Sequence, residues 1–156
     1  MKPLLIGLVM LVPTPSLYAA QLAVRVTGLE APGEIHLAIY DDPRVFEGDR
    51  GDQGGPQPGI IAGTIQPAGP ESSMSTFELP TGVYAVGIFH DLNGDGALSK
   101  NFLGMPKEPF GFSNNARARF GPPSFEEAAI SVKEKLSITI GFVSTIFPSQ
   151  DLWGHL

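Results

Sequence analysis

Beyond residue 20, the apolar residues of this chain repeatedly recur at every second position and are soon stopped by glycine or proline. Leu22, Val24 and Val26 alternate with Ala23, Arg25 and Thr27, and Ile35, Leu37 and Ile39 alternate with His36, Ala38 and Tyr40. A side chain that returns to one face every two residues belongs to a half-buried β-strand, and no stretch sustains the 3.6-residue period of a helix. The turn at 28–33, with Gly28, Pro32 and Gly33, predicts that the first two runs form a hairpin. Further strands are expected at 60–66, 73–79, 83–90, 128–132 and 136–142. Seven short strands within 21–142 predict an all-β fold, a two-layer antiparallel sandwich.

The chain has 19 Gly and 15 Pro among 156 residues, and they cluster: twelve lie between 41 and 70 and nine between 94 and 123. They mark two long loops on the β frame, at 41–59 and 100–127. Between them, Leu79-Pro80-Thr81-Gly82-Val83-Tyr84 is a turn running into a strand. It resembles the corner of immunoglobulin-like and prealbumin-like domains, in which a tyrosine hydroxyl ties the turn.

Residues 1–20 read as a secretory leader: Lys2, an apolar run at 4–12, a segment broken by Pro13 and Pro15, and small residues at Ala19 and Ala20. Cleavage is expected after Ala19 or Ala20, which gives a secreted or periplasmic chain. The apolar run is too short to span a bilayer, so no membrane span is expected. The domain then occupies 21–142, and 143–156 is a tail containing Trp153 and His155. There is no cysteine, which excludes disulfides, thiolate zinc sites, thiol nucleophiles and a lipidated N-terminal Cys.

The formal net charge is −6, which argues against a nucleic-acid partner because phosphate binding needs a dominant basic face. The charge is uneven. Residues 21–96 carry eleven acids against Arg25, Arg44 and Arg50, whereas 97–120 set Lys100, Lys107, Arg117 and Arg119 against Glu108 alone.

Three segments can carry chemistry. His90 ends the inward row of Tyr84, Val86 and Ile88, and Asp91 points the opposite way, so the two cannot act as a dyad on one substrate. Asp91, Asn93 and Asp95 place oxygen ligands at the first, third and fifth positions of a calcium-type loop with Gly96 at the sixth, but Phe102 stands where the bidentate acid belongs. An Asx-rich hairpin turn explains the same residues. The third segment, 100–127, holds Phe102, Phe110, Phe112, Phe120 and Phe125, half of the ten phenylalanines. Beside Arg117 and Arg119 these rings form either a self-packed plug for the sandwich or a platform that grips a partner.

The strings His90-Asp91-Leu92-Asn93-Gly94-Asp95-Gly96-Ala97-Leu98, Gly104-Met105-Pro106-Lys107-Glu108-Pro109-Phe110-Gly111-Phe112-Ser113-Asn114-Asn115 and Phe120-Gly121-Pro122-Pro123-Ser124-Phe125 closely resemble the bacterial secreted family called domain of unknown function 2141. The resemblance spans 21–142 and implies an exported β-sandwich with no assigned activity. Leu92 and Ser99 stand where that family often has acids, which weakens the calcium reading.

The missing catalytic set favours a non-catalytic binding module with no cofactor. Its contact residues would be Phe110, Phe112, Asn114, Arg117 and Arg119, and its partner a protein, peptide or glycan of the cell envelope. One alternative is a hydrolase using His90 as general base with Lys107, Glu108 or Ser113 nearby. The other is a structural domain stabilised by calcium at Asp91, Asn93 and Asp95.

Overall fold

The computed structural model describes residues 20–69, 72–119 and 121–143. The leader up to residue 19, Phe120, and the tail with Trp153 and His155 lie outside them. Two sheets pack face to face. The first has the order β4-β1-β8, built from β1 (Ala20–Thr27), β4 (Ser72–Leu79) and β8 (Lys135–Gly141). The second has the order β3-β2-β5-β6, from β3 (Ala62–Pro67), β2 (Glu34–Tyr40), β5 (Gly82–Asp91) and β6 (Phe110–Phe112), with β7 (Ile130–Val132) also paired to β5.

The architecture is the expected all-β sandwich, with three corrections to its detail. Among the described residues there are eight strands rather than seven, because the three residues of β6 are too few to show a period. One pairing is parallel: β1 lies beside β8, with Leu22 opposite Leu136 and Val26 opposite Ile140. The predicted β1–β2 hairpin does not form. β1 pairs with β4 and β8, while β2 pairs with β3 and β5, so the 28–33 turn crosses between sheets. Both strands have an apolar face to bury, and placing them in opposite layers lets Leu22, Val24 and Val26 meet Ile35, Leu37 and Ile39 in one core. All six are buried, and side chains of this size contribute roughly 1.5–3 kcal/mol each.

The tyrosine corner is present: the Tyr84 hydroxyl donates to the Pro80 carbonyl at 2.6 Å. The long loops are more ordered than their composition suggests. Residues 41–59 contain α1 (Pro43–Gly48), started by Asp42, whose carboxylate accepts from the Arg44 N–H, and by Pro43 in the first turn. Residues 100–127 contain β6, a 3₁₀ turn at Ser113–Asn115 and the start of α2 (Phe125–Ala128), whose Ser124 and Glu127 form a reciprocal capping box. A helix of one or two turns has too little periodicity to read, and neither was expected from the sequence. Among the described residues no helix is long and apolar enough to cross a membrane.

Candidate functional site

On the outer face of the second sheet, the residues between the core positions are covered rather than exposed. His36, Ala38 and Tyr40 on β2 share this face with Gly87 and Phe89 on β5 and with Phe110 and Phe112 on β6. The register sets Ala38 directly opposite Gly87, with His36 opposite Phe89 and Tyr40 opposite Ala85. Two of the smallest side chains therefore meet between aromatic neighbours. The result is a cavity of about 700 Å³ with that pair on its floor.

Both long loops wall this cavity. From the first come Phe46 of α1, Asp49, Arg50, Gly51, Gln53, Gly54 and Gly55; from the second come Leu103, Met105 and Pro122, with Leu98 of the turn that precedes it. Phe46 meets the rings of Tyr40, Phe112 and Phe125 edge-on at 5.4, 5.7 and 6.0 Å. The first loop is also joined to the turn after β5: Gly54 N–H donates to the Gly96 carbonyl, and Leu98 N–H to the Gly51 carbonyl at 2.7 Å. Gly54 has to be glycine, because a Cβ there would strike both the His36 ring and the Gly96 carbonyl.

Charge gathers at the rim. Arg50, Lys100 and Arg119 line it, with Asp49 as the acid. Lys100 pairs with Asp52. Asp49 accepts from the Tyr40 hydroxyl at 2.6 Å and from Gly51 N–H at 2.7 Å. Burial, that hydrogen bond and the Asp49 charge together push the Tyr40 phenol well above its ordinary value, so it stays protonated. A second, shallower basin shares Arg50 and Arg119 and adds Arg117 beside Glu47 and Glu127.

The predicted contact residues divide. Phe110, Phe112 and Arg119 line the cavity. Arg117 is exposed and lines only the neighbouring basin. Asn114 does neither: its amide donates to the Glu127 and Ala129 carbonyls at 3.3 and 2.7 Å, tying the end of β6 to α2. Its φ of 58° is a left-handed conformation that asparagine tolerates. Phe102, at 95% exposure, is the ring that faces solvent, with Leu103 and Met105 beside it.

Two polar residues of the hydrolase reading, Glu108 and Ser113, have structural partners. His90 is 1% exposed, on the inner face, stacked on Phe142 at 5.6 Å. Burial pushes its pKa down, against the opposing pull of Glu108, a hydrogen bond to the Pro32 carbonyl, and Asp91. Glu108 is buried, and its two oxygens accept from Leu92 N–H at 2.9 Å and Ser99 N–H at 2.8 Å, which fastens the 92–99 turn. Lys107 is exposed. The buried Ser113 hydroxyl accepts from Val86 N–H and donates to the Ala128 carbonyl.

In the turn after β5, Asp91 is fully buried and accepts from Gly94 N–H at 2.7 Å and Gly96 N–H at 2.8 Å. Burial alone would raise its pKa, but the donors from Gly96 and Gly94, with help from His36 and the Asn93 N–H, outweigh it and hold the carboxyl below its usual range. Asn93 accepts from Asp95 N–H and Asp95 from Ala97 N–H, at 3.0 and 2.9 Å. These oxygens build a chain of Asx turns within the loop.

Sequence reasoning did not place His36, Ala38, Tyr40, Phe46, Arg50, Gly87 or Phe89 at a site. The available signal was the outward row of β2 and β5. Histidine, tyrosine and phenylalanine on a face that strand alternation assigns to solvent imply that something covers it.

A family model described as an uncharacterized protein conserved in bacteria, DUF2141, matches residues 24–139. No curated protein and no solved structure matches the chain.

Proposed function

Since the chain belongs to this uncharacterised bacterial family, we propose that it is an exported, non-catalytic binding protein whose ligand is a small amphipathic anion held in the outer-face cavity. The observation that carries the reading is the Ala38–Gly87 pair, which opens an apolar floor between His36, Tyr40, Phe89 and Phe112. A ligand with an aromatic or branched aliphatic body fits that floor, and Arg50 and Arg119 on the rim suit a carboxylate, sulfonate or phosphate at its outer end. The leader at 1–20 supports an encounter in the periplasm or outside the cell. No catalytic role is included, since the hydroxyl of Ser113 and the carboxylate of Glu108 hold backbone groups in place.

Anilinonaphthalene sulfonate, an apolar ring system with one anionic group, is a suitable probe. Its fluorescence should rise and saturate at one equivalent on the native protein, and Gly87→Leu should weaken binding at least tenfold by filling the floor. A Cβ at Gly87 meets only ordinary contacts, 3.7 Å from Phe112 and Tyr40, and the position lies on the outer face, away from the sandwich core. No saturable signal, or equal affinity in Gly87→Leu, would overturn the proposal.

A further inference from the structure

His36 poses a problem the cavity does not solve. It is 4% exposed, and neither ring nitrogen has a hydrogen-bond partner. A buried polar group left in this way costs stability unless something else meets it. Two carboxylate oxygens stand close to Nε2: Asp91 Oδ2 at 3.6 Å and Glu34 Oε2 at 3.8 Å. Both are beyond hydrogen-bond reach. They are, however, the separations expected of donor atoms around a shared cation, since tetrahedral ligands about 2.0–2.1 Å from a metal lie roughly 3.4 Å apart.

We propose that Glu34, His36 and Asp91 form a binding site for a divalent transition cation of the zinc type. One donor atom from each residue lies within 4.8 Å of the others. The strand geometry explains the convergence. Glu34 and His36 are two residues apart on β2 and so share a face, and Asp91 is directly opposite Glu34 on β5. The donors are held in place beforehand: His36 stacks on Phe89 at 4.4 Å and 13°, and Asp91 is fixed by the N–H groups of Gly94 and Gly96. Such bonds to a ligating carboxylate orient it for the metal. One imidazole with two carboxylates suits zinc or manganese, whereas an all-oxygen set would suit calcium. Three protein donors leave a coordination position for water. The site is separate from the Asp91, Asn93 and Asp95 calcium set, with which it shares only Asp91, and it does not depend on what fills the cavity.

The test is calorimetric titration of the chelator-treated full chain with zinc chloride alone, paired with thermal melts. The expected result is one saturable equivalent and a melting temperature that rises by several degrees at a hundredfold excess over Kd. His36→Gln should abolish the binding. Glu34→Gln, at a side chain that is half exposed, should fold normally and bind at least tenfold more weakly. If His36 only faces Asp91 and Glu34 and holds no metal, zinc will give no saturable heat. That result, binding of calcium but not zinc, or zinc binding that survives in both variants, would overturn the proposal.

Discussion

The two faces of the β2–β5 ribbon come from the same residues read at alternate positions, yet they do opposite work. On the inner face Ile35, Leu37, Ile39, Val86 and Ile88 are all buried against the other sheet with side chains of similar size. On the outer face the same strands present a histidine, an alanine, a tyrosine, a glycine and a phenylalanine under two loops. The inner face is filled because sheets pack at fixed spacing and uniform aliphatic residues interdigitate there. The outer face is roofed by irregular segments that cannot follow its contour, and small residues next to large ones leave space. Two buried histidines show the contrast. Both stack on a phenylalanine, but His90, inward, bonds to the Pro32 carbonyl, whereas His36, outward, has neither nitrogen bonded and faces two acids.

The sharpest way to break this contrast is to truncate neighbouring positions. Ile39→Ala, on the inner face, should destabilise by about 2–5 kcal/mol, which lowers the melting temperature by roughly ten degrees. Glu108→Ala should come next, costing about 1–3 kcal/mol because the Leu92 and Ser99 N–H groups lose their acceptor. Its signature should be local: amide exchange should quicken across 92–99 while the core strands stay protected. Gly87→Leu, one residue from the core position Ile88, should leave the melt within about 1 kcal/mol of the parent although it removes the cavity floor.

The smallest effect should appear only in alkali. The Tyr40 pKa is raised on folding, so the stability this group supplies is complete below about pH 10 and is lost as the pH climbs past it, where the unfolded chain ionises and the folded one does not. Denaturant midpoints measured across that window should fall for the parent and fall less for Tyr40→Phe. An equal slope in both would place the alkaline sensitivity elsewhere than on the cavity face.

How much of this was legible depends on the range of the signal. The strands on either side of the core were readable because Leu22 to Val26 and Ile35 to Ile39 announce their faces locally. The Tyr84 corner was readable because donor and acceptor are four residues apart. Phe110, Phe112 and Arg119 were singled out from an unusual composition, and all three line the cavity. Asn114 was chosen by the same criterion and proved to be a tie between β6 and α2, a role decided by carbonyls thirteen and fifteen residues away.

What the amino-acid sequence determined by itself was periodic or local: an all-β chain, its inward rows, the tyrosine corner, and two loops rich in Gly and Pro. The partner of each strand was decided only in three dimensions. β1 and β2, adjacent in the chain, separate into different sheets because each must bury an apolar face against the other. That choice turned the remaining face of β2 toward the loops, set Ala38 against Gly87, and brought Glu34 and His36 to Asp91 more than fifty positions away. Such a meeting depends on cross-strand register, which no stretch of sequence contains because it arises only when two strands dock.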